Sequence, residues 1–135
     1  MMKARNVVDV LIVEDQQFDV ELILRALHLQ APDLTTAIAT TGNAAINYLQ
    51  THVPKAILLD LHLPDMDGCE LLMQIREDFR YRNVPVIVLT GFADRHRNEA
   101  QRLGISGYIN KTSDLQTLSD RLLLFKHLLQ NTVRS

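Results

Sequence analysis

Several polar residues in this sequence could do chemistry together, because each one comes where a short apolar run ends. They are the acidic pair Glu14 and Asp15, then Asp60, Thr90 and Lys111. If the apolar runs are parallel strands of one sheet, these side chains meet at its carboxyl edge, where open α/β sheets bind ligands. Crowded carboxylates repel one another unless a divalent cation joins them, and oxygen ligands suit Mg²⁺. The pattern therefore predicts metal-assisted phosphoryl chemistry.

Length and composition indicate one globular domain. The chain has 135 residues, of which 47% are hydrophobic and 22% charged, so we predict a single domain over residues 1–135 with no output domain. The net charge of -2 predicts no nucleic-acid partner and no attachment to anionic membranes. Cys69 is the one cysteine, and we find neither a signal peptide nor a run long enough to span a bilayer. These features predict a cytoplasmic protein.

Five short apolar runs alternate with stretches of helical periodicity, a pattern typical of repeated strand-helix units and a parallel sheet. The predicted strands are residues 10–13, 35–39, 56–60, 86–90 and 107–110. Most of these runs are continuously apolar, as expected of strands that helices cover on both faces. The second strand is the exception, because threonines at its ends predict a half-exposed edge. With right-handed crossovers, the units form a three-layer α/β sandwich.

The helical stretches carry apolar stripes that predict packing on the sheet. Leu72, Ile75 and Phe79 mark one such stripe, and Gly104 stands where a left-handed helix cap is expected. The polar run within residues 93–103 leaves a narrow stripe, which predicts the most mobile helix. Residues 114–130 are predicted as one helix, and its surplus leucines are a candidate partner or dimer surface: Leu123, Leu124 and Leu128.

Four motifs, VLIVED, ILLDLHLPDMDG, PVIVLTG and GYINKT, occur in this order over essentially the whole chain. They resemble the motifs of the receiver domains of two-component response regulators. The resemblance implies a flavodoxin-like doubly wound (βα)5 fold with a five-stranded parallel sheet in the order 2-1-3-4-5. It also implies a signalling domain rather than an enzyme, in which Asp60 accepts a phosphoryl group from a sensor histidine kinase or phosphotransfer protein. Residues 19–27 and 42–49 look like those of stand-alone receivers that partner phytochrome-type kinases.

The resemblance assigns roles to the other polar residues at the strand ends. Lys111 pairs with the phosphoryl group as a point charge, and the Thr90 hydroxyl hydrogen-bonds one of its oxygens. When Thr90 moves to do so, Tyr108 rotates into the space that it leaves, which couples the site to a surface change. The implied Mg²⁺ ligands are the carboxylates of Glu14, Asp15 and Asp60 and the main-chain carbonyl of His62, with Glu14 acting through water.

The segment that follows the acceptor contains positions with structural interpretations. We predict that Asp65 and Asp67 are turn and cap residues rather than metal ligands. Gly68 is predicted to open the next helix. His62 is either placed where a hydrolytic water approaches or is an exposed loop histidine.

Two positions depart from the family's commonest pattern or vary within it. Thr112 stands after Lys111, where a proline is usual and its peptide bond is often cis. A non-proline cis bond costs about 2.5–4 kcal/mol, so the bond can be trans in this chain. Phe92 either shields the site from water or marks a docking surface.

Other functions fit these residues less well. A pseudo-receiver would be a phosphorylation-independent interaction module, but it would not need all five polar residues. An aspartate-based phosphatase typically has a second acid two residues after its nucleophile, where this chain has His62. A flavin-binding module needs Gly, Ser or Thr after the first strand, whereas Glu14 and Asp15 would repel a phosphate.

The signal is expected to leave the domain by contact with a downstream protein that the sequence does not name. The expected exit surface comprises residues 94–103, Tyr108 and the last helix, and a homodimer would form through the same surface. The kinase is expected to dock around the first helix and the loops near Asp60.

Overall fold

The computed structural model describes residues 8–91 and 96–130, in which strands and helices alternate. The strands are β1 (Val10–Val13), β2 (Thr36–Ala39), β3 (Ala56–Leu59), β4 (Val86–Thr90) and β5 (Gly107–Asn110). The helices are α1 (Gln17–Gln30), α2 (Gly42–Leu49), α3 (Gly68–Glu77), α4 (Arg97–Leu103), α5 (Leu115–Leu123) and α6 (Lys126–Gln130). Phe92 and the first residues of the predicted polar helix, 93–95, lie outside the described residues.

The five strands form one parallel sheet in the order β2-β1-β3-β4-β5, which confirms the predicted fold. Every residue of β1, β3 and β4 is buried, as their continuous apolar runs predict. β2 lies at an edge and is half-exposed, as its threonines predict. Val13 pairs with Leu59, so β1 and β3 end level with each other and their next residues reach the same edge.

Helices cover both faces of the sheet and make two separate cores. Successive residues of a strand point to opposite faces, so Leu11 and Val13 pack towards α2, α3 and α4, while Val10 and Ile12 pack towards α1 and α5. The result is the predicted three-layer sandwich. No helix in the described ranges is both long and apolar enough to cross a membrane.

The apolar stripe of α3 stops earlier than its spacing predicts. The prediction placed Phe79 on the stripe, but α3 ends at Glu77 and Phe79 is 78% exposed. Asp78 takes an extended backbone conformation and its carboxylate accepts hydrogen bonds from the main chain and guanidinium of Arg80. Hydrogen bonds of this local kind compete with the backbone bonds that would extend the helix, and the spacing of apolar residues does not predict at which residue the helix ends.

The predicted single helix over residues 114–130 is wrong, because the chain breaks into α5 and α6. The amides of Leu124 and Phe125 bond to carbonyls three residues back, at 3.3 and 2.9 Å, which tightens the chain into a turn. This turn brings the Phe125 ring against Gly107 of β5, where an added Cβ would lie 2.4 Å from the ring. Leu123 and Leu124 are exposed beside the turn.

Gly104 ends α4 as predicted and has a positive φ, but its ψ of 96° lies outside the left-handed helical conformation that was expected. Gly104 follows Leu103 with a φ of 101°, a value that side chains disfavour. Arg76 of α3 secures this corner by donating to the Gly104 carbonyl at 2.9 Å. The same guanidinium donates to three further carbonyls, those of Tyr81, Arg82 and Val84.

Candidate functional site

The carboxyl edge of the sheet brings together the five polar residues that the sequence singles out. Glu14 and Asp15 follow β1, Asp60 follows β3, Thr90 ends β4 and Lys111 follows β5. Glu14, Asp15 and Asp60 each offer a carboxylate oxygen, and these oxygens lie within 4.8 Å of one another. The edge therefore presents a compact set of oxygen atoms beside one ammonium group.

Asp60 lies at the centre of this edge and its carboxylate has partners on both oxygens. The side chain is only 4% exposed. Oδ1 accepts from the His62 amide at 3.1 Å and from the Thr90 hydroxyl at 3.4 Å, while Oδ2 lies 3.2 Å from Lys111 Nζ. These contacts come from three different segments, so the carboxylate is held in one orientation before any ligand binds.

Lys111 is surrounded by negative charge. Its Nζ lies 2.7 Å from Glu14 Oε1 and 3.0 Å from Asp19 Oδ2, in addition to the Asp60 contact. Burial opposes the charged ammonium, but the neighbouring carboxylates of Glu14, Asp60 and Asp19 outweigh it and raise the pKa of Lys111. The ammonium is therefore a permanent positive charge at this edge.

Glu14 is the most buried carboxylate of the site, with 1% of its surface exposed. Burial raises its pKa to about 7, although contacts with Lys111 and the Gln16 amide work in the opposite direction. Oε1 lies 2.7 Å from Lys111 Nζ, so the buried carboxylate is held by a charge-assisted contact with the ammonium. Three carboxylates whose oxygens lie within 4.8 Å of one another suit a hard divalent cation.

Asp19 was missed by the sequence analysis. It lies in the first turn of α1, where acidic residues are common because they complement the helix dipole. Because this position already explains an acidic residue, it provides by itself no reason to expect a contact with Lys111, which is 92 positions away in sequence. The available signal was its place one turn after the acidic pair Glu14 and Asp15.

A cleft of about 780 Å³ opens over Asp60. Its walls include Asp15, His62, His96 and Lys111, so a charged ligand would meet both signs of charge. The rings of His62 and His96 lie edge to face with centroids 6.1 Å apart. A second cleft, of about 560 Å³ between α1 and α5, is mainly apolar and none of the site's residues line it.

The loop after Asp60 confirms the structural interpretation of its acidic residues. Asp67 caps α3 by accepting from the Cys69 amide at 2.9 Å. Asp65 reaches a different helix and accepts from the amides of Gly42 and Asn43, at 2.7 and 2.8 Å, where α2 begins. Hydrogen bonds from two backbone amides hold the pKa of Asp65 below its usual value.

The loop that carries Lys111 has ordinary backbone geometry. The described residues contain no cis peptide bond, so the bond between Lys111 and Thr112 is trans. Thr112 accepts from the Asp114 amide at 3.1 Å, and Asp114 in turn caps α5. These two hydrogen bonds connect the loop that carries Lys111 to the start of α5, and Thr112 takes part in them at the position where the family usually has a proline.

Thr90 and Tyr108 occupy the same face of the sheet. Thr90 pairs with Asn110 and Val88 with Tyr108, so the two side chains are diagonal neighbours across β4 and β5. Thr90 is fully buried, and the Tyr108 ring packs under the Arg97 guanidinium of α4 at 4.5 Å. Thr90 is therefore connected to α4 through Tyr108 and its contact with Arg97.

Comparison with known protein families agrees with this arrangement. The family model for the response regulator receiver domain matches residues 10–123. The chain belongs to this receiver family. Receiver domains of this family act in two-component signalling.

The receiver is similar to two curated regulators. It is 32% identical to the probable methanogenesis regulatory protein FilR2 of Methanothrix harundinacea, over 87% of this chain and 81% of that protein. It is 34% identical to the polar-differentiation response regulator DivK of Brucella ovis, over 76% of this chain and 82% of that protein.

Two solved receivers share both the fold and much of the length. The Mn(2+)-bound response regulator Rcp1 has a TM-score of 0.79 and 29% identity, and the match covers 97% of this chain and 100% of that one. The phosphorylated cyanobacterial phytochrome response regulator RcpA has a TM-score of 0.81 and 27% identity, with 97% and 98% covered.

Proposed function

We propose that this receiver accepts a phosphoryl group on Asp60 from a sensor histidine kinase or phosphotransfer protein, in a reaction that requires Mg²⁺. The observation that carries the proposal is the Asp60 carboxylate, which opens into the cleft with Lys111 on one oxygen and Thr90 on the other. The Mn(2+)-bound form of Rcp1 and the phosphorylated form of RcpA support it by similarity.

The residues that would hold Mg²⁺ are Glu14 through water, Asp15, Asp60 and the main-chain carbonyl of His62. When bound, the cation supplies positive charge that neutralises the transferring phosphoryl oxygens. Asp15 is half-buried beside the cleft and Glu14 is buried beneath it, so the first can bind directly and the second can orient a water molecule.

The transfer follows from the positions of this chain's own residues. An Asp60 oxygen attacks phosphorus as the bond from phosphorus to the donor's imidazole nitrogen breaks, and that nitrogen keeps the electron pair. Lys111 Nζ, already 3.2 Å from Asp60, pairs with one phosphoryl oxygen. The Thr90 hydroxyl turns from Asp60 to donate to another.

The same step would change the surface of the domain. Movement of Thr90 frees space on the face that it shares with Tyr108, and a rotation of Tyr108 would break its contact with Arg97. The exit surface would then be α4, β5 and the α5-α6 corner, where Leu123 and Leu124 are exposed. A downstream protein or a second copy of the chain would bind there.

We further propose that the chain works as a single-domain, cytoplasmic regulator and that its kinase is of the phytochrome type. Support comes from the match to Rcp1, which covers 100% of that chain, and from the phytochrome regulator RcpA. The net charge of -2 gives no general attraction to nucleic acid or anionic membranes. Such a regulator would pass its signal on by protein contact.

The test is phosphorylation of the purified protein by acetyl phosphate, with and without Mg²⁺, read by intact mass. We expect the gain of one phosphoryl group only with Mg²⁺ and no gain in Asp60→Asn, which keeps the shape of the side chain but cannot form the acyl phosphate. Failure of the folded wild-type protein to bind Mg²⁺ and to be phosphorylated would leave a phosphorylation-independent interaction module.

A further inference from the structure

We propose that Asp19 is a positioning residue for the Lys111 ammonium when a divalent cation occupies the site. Among the described residues, three carboxylates surround Lys111 Nζ, at 2.7 Å for Glu14, 3.0 Å for Asp19 and 3.2 Å for Asp60. Two of them belong to the proposed metal-binding set. Asp19 is the one that stands outside it, and it comes from α1 rather than from a strand end.

The contact between Asp19 and Lys111 is set into the wall of the site. The side chains are 25% and 18% exposed, so solvent screens them less than a surface pair. Asp19 Oδ2 accepts a hydrogen bond from Nζ at 3.0 Å, and α1 and α5 pack side by side next to it. The ammonium therefore has one partner whose position is fixed by a helix.

A cation and the Lys111 ammonium compete for the same oxygens. Nζ contacts both Glu14 and Asp60, and a dication that bound Asp60 directly and Glu14 through a water molecule would repel the ammonium from both. Asp19 offers the ammonium a partner that the cation does not use. Lys111 can then release Glu14 and Asp60 while it stays within reach of Asp60's phosphoryl group.

This inference rests on the proposed function, and it predicts how Mg²⁺ binding depends on Asp19. Calorimetric titration with Mg²⁺ would compare wild type, Asp19→Asn and Glu21→Gln. Glu21 is an exposed residue of the same helix that bonds to Gln17, so its variant removes the same charge without touching Lys111. We expect Asp19→Asn to weaken Mg²⁺ binding by about fivefold and Glu21→Gln to change it by less than about twofold.

A second background shows whether Asp19 acts through Lys111. In Lys111→Met the ammonium no longer competes, so the effect of Asp19→Asn should shrink to that of Glu21→Gln. Circular dichroism establishes that each variant is folded, and Lys111→Gln replaces Lys111→Met if that variant does not fold. If neither folds, the comparison of Asp19→Asn with Glu21→Gln alone decides.

The outcomes separate the two proposals. Equal Mg²⁺ affinities for Asp19→Asn and Glu21→Gln, in a protein whose wild type binds Mg²⁺, overturn the role of Asp19 and leave the proposed function intact. An undiminished effect of Asp19→Asn in the Lys111→Met background also overturns it, because Asp19 would then act on the cation directly. A wild-type protein that binds no Mg²⁺ overturns both.

Discussion

Gly68 shows how little space a single residue can have beside the acceptor. It opens α3 directly under the loop that follows Asp60. A Cβ at this position would lie 2.4 Å from the Leu61 Cα and 2.8 Å from the Asp60 carbonyl oxygen. These neighbours are backbone atoms next to the acceptor, so they cannot move aside without moving the acceptor itself.

Substitution of Gly68 by alanine is therefore expected to destabilise the domain. Overpacking against the Leu61 backbone should lower the free energy of unfolding by about 2 kcal/mol, measured by urea denaturation. Gly91→Ala is the matched control, because a Cβ there meets no atom of the described residues beyond its chain neighbours within 4 Å. Equal losses in the two variants would contradict the argument from close approach.

At the scale of whole elements, the loop after β3 joins two helices. Asp67 caps α3 from within the loop, while Asp65 binds the first amides of α2 with both carboxylate oxygens. Helix amides at the N-terminus have no partners within their own helix, so each cap satisfies them from outside. The acceptor loop is thus secured to both neighbouring helices.

The bonds to Asp65 make a pH-dependent contribution to stability. Its pKa is lowered from 3.8 in the folded protein by the amides of Asn43 and Gly42. A lowered folded-state pKa means that the stabilisation is fully present above 3.8 and is lost as the pH falls through the lower value. Asp65→Asn should therefore be less stable than wild type at pH about 6, with a difference that shrinks below pH about 4.

Urea denaturation at several pH values would measure this difference. Asp33→Asn is a suitable control, because Asp33 is an exposed turn residue. A gap between wild type and Asp65→Asn that stays constant down to the acid-unfolding limit would argue against a role of the ionised carboxylate.

At the scale of the whole molecule, the site draws on most of the sheet. Its residues follow or end β1, β3, β4 and β5, and Asp19 adds α1. A cation bound among Glu14, Asp15 and Asp60 would contact only the folded arrangement, since these residues are far apart in an unfolded chain. Cation binding should therefore stabilise the entire domain.

We expect Mg²⁺ to raise the free energy of unfolding by about 1.4 kcal/mol at ten times its dissociation constant. Chemical denaturation with and without Mg²⁺ measures the gain. Asp15→Asn should remove most of it, because Asp15 is one of the proposed direct ligands and is not the phosphoryl acceptor. If Asp15→Asn gains as much stability from Mg²⁺ as the wild type does, the cation binds elsewhere.

The pattern of the sequence predicted the parallel strand-helix sandwich and the set of polar residues at its carboxyl edge, and the resemblance to receiver domains added the strand order. Continuous apolar runs of four or five residues that alternate with helical stretches are typical of strands covered on both faces, and a residue at the carboxyl end of such a parallel strand reaches that edge. The same local logic identified Asp65 and Asp67 as cap residues and Gly104 as a helix end.

Only the tertiary structure decided which groups from different elements meet. The contact of Asp19 with Lys111 depends on how α1 docks beside α5, and the helix that Asp65 caps depends on how α2 lies against the loop. The break before α6 lies where the Phe125 ring packs against Gly107 of β5. The apolar periodicity of residues 114–130 does not predict this break, because it contains no information about contacts with β5. A local sequence pattern predicts which face of a helix or strand a residue lies on. Which residue it contacts there depends on how the helices and strands of the whole chain pack together.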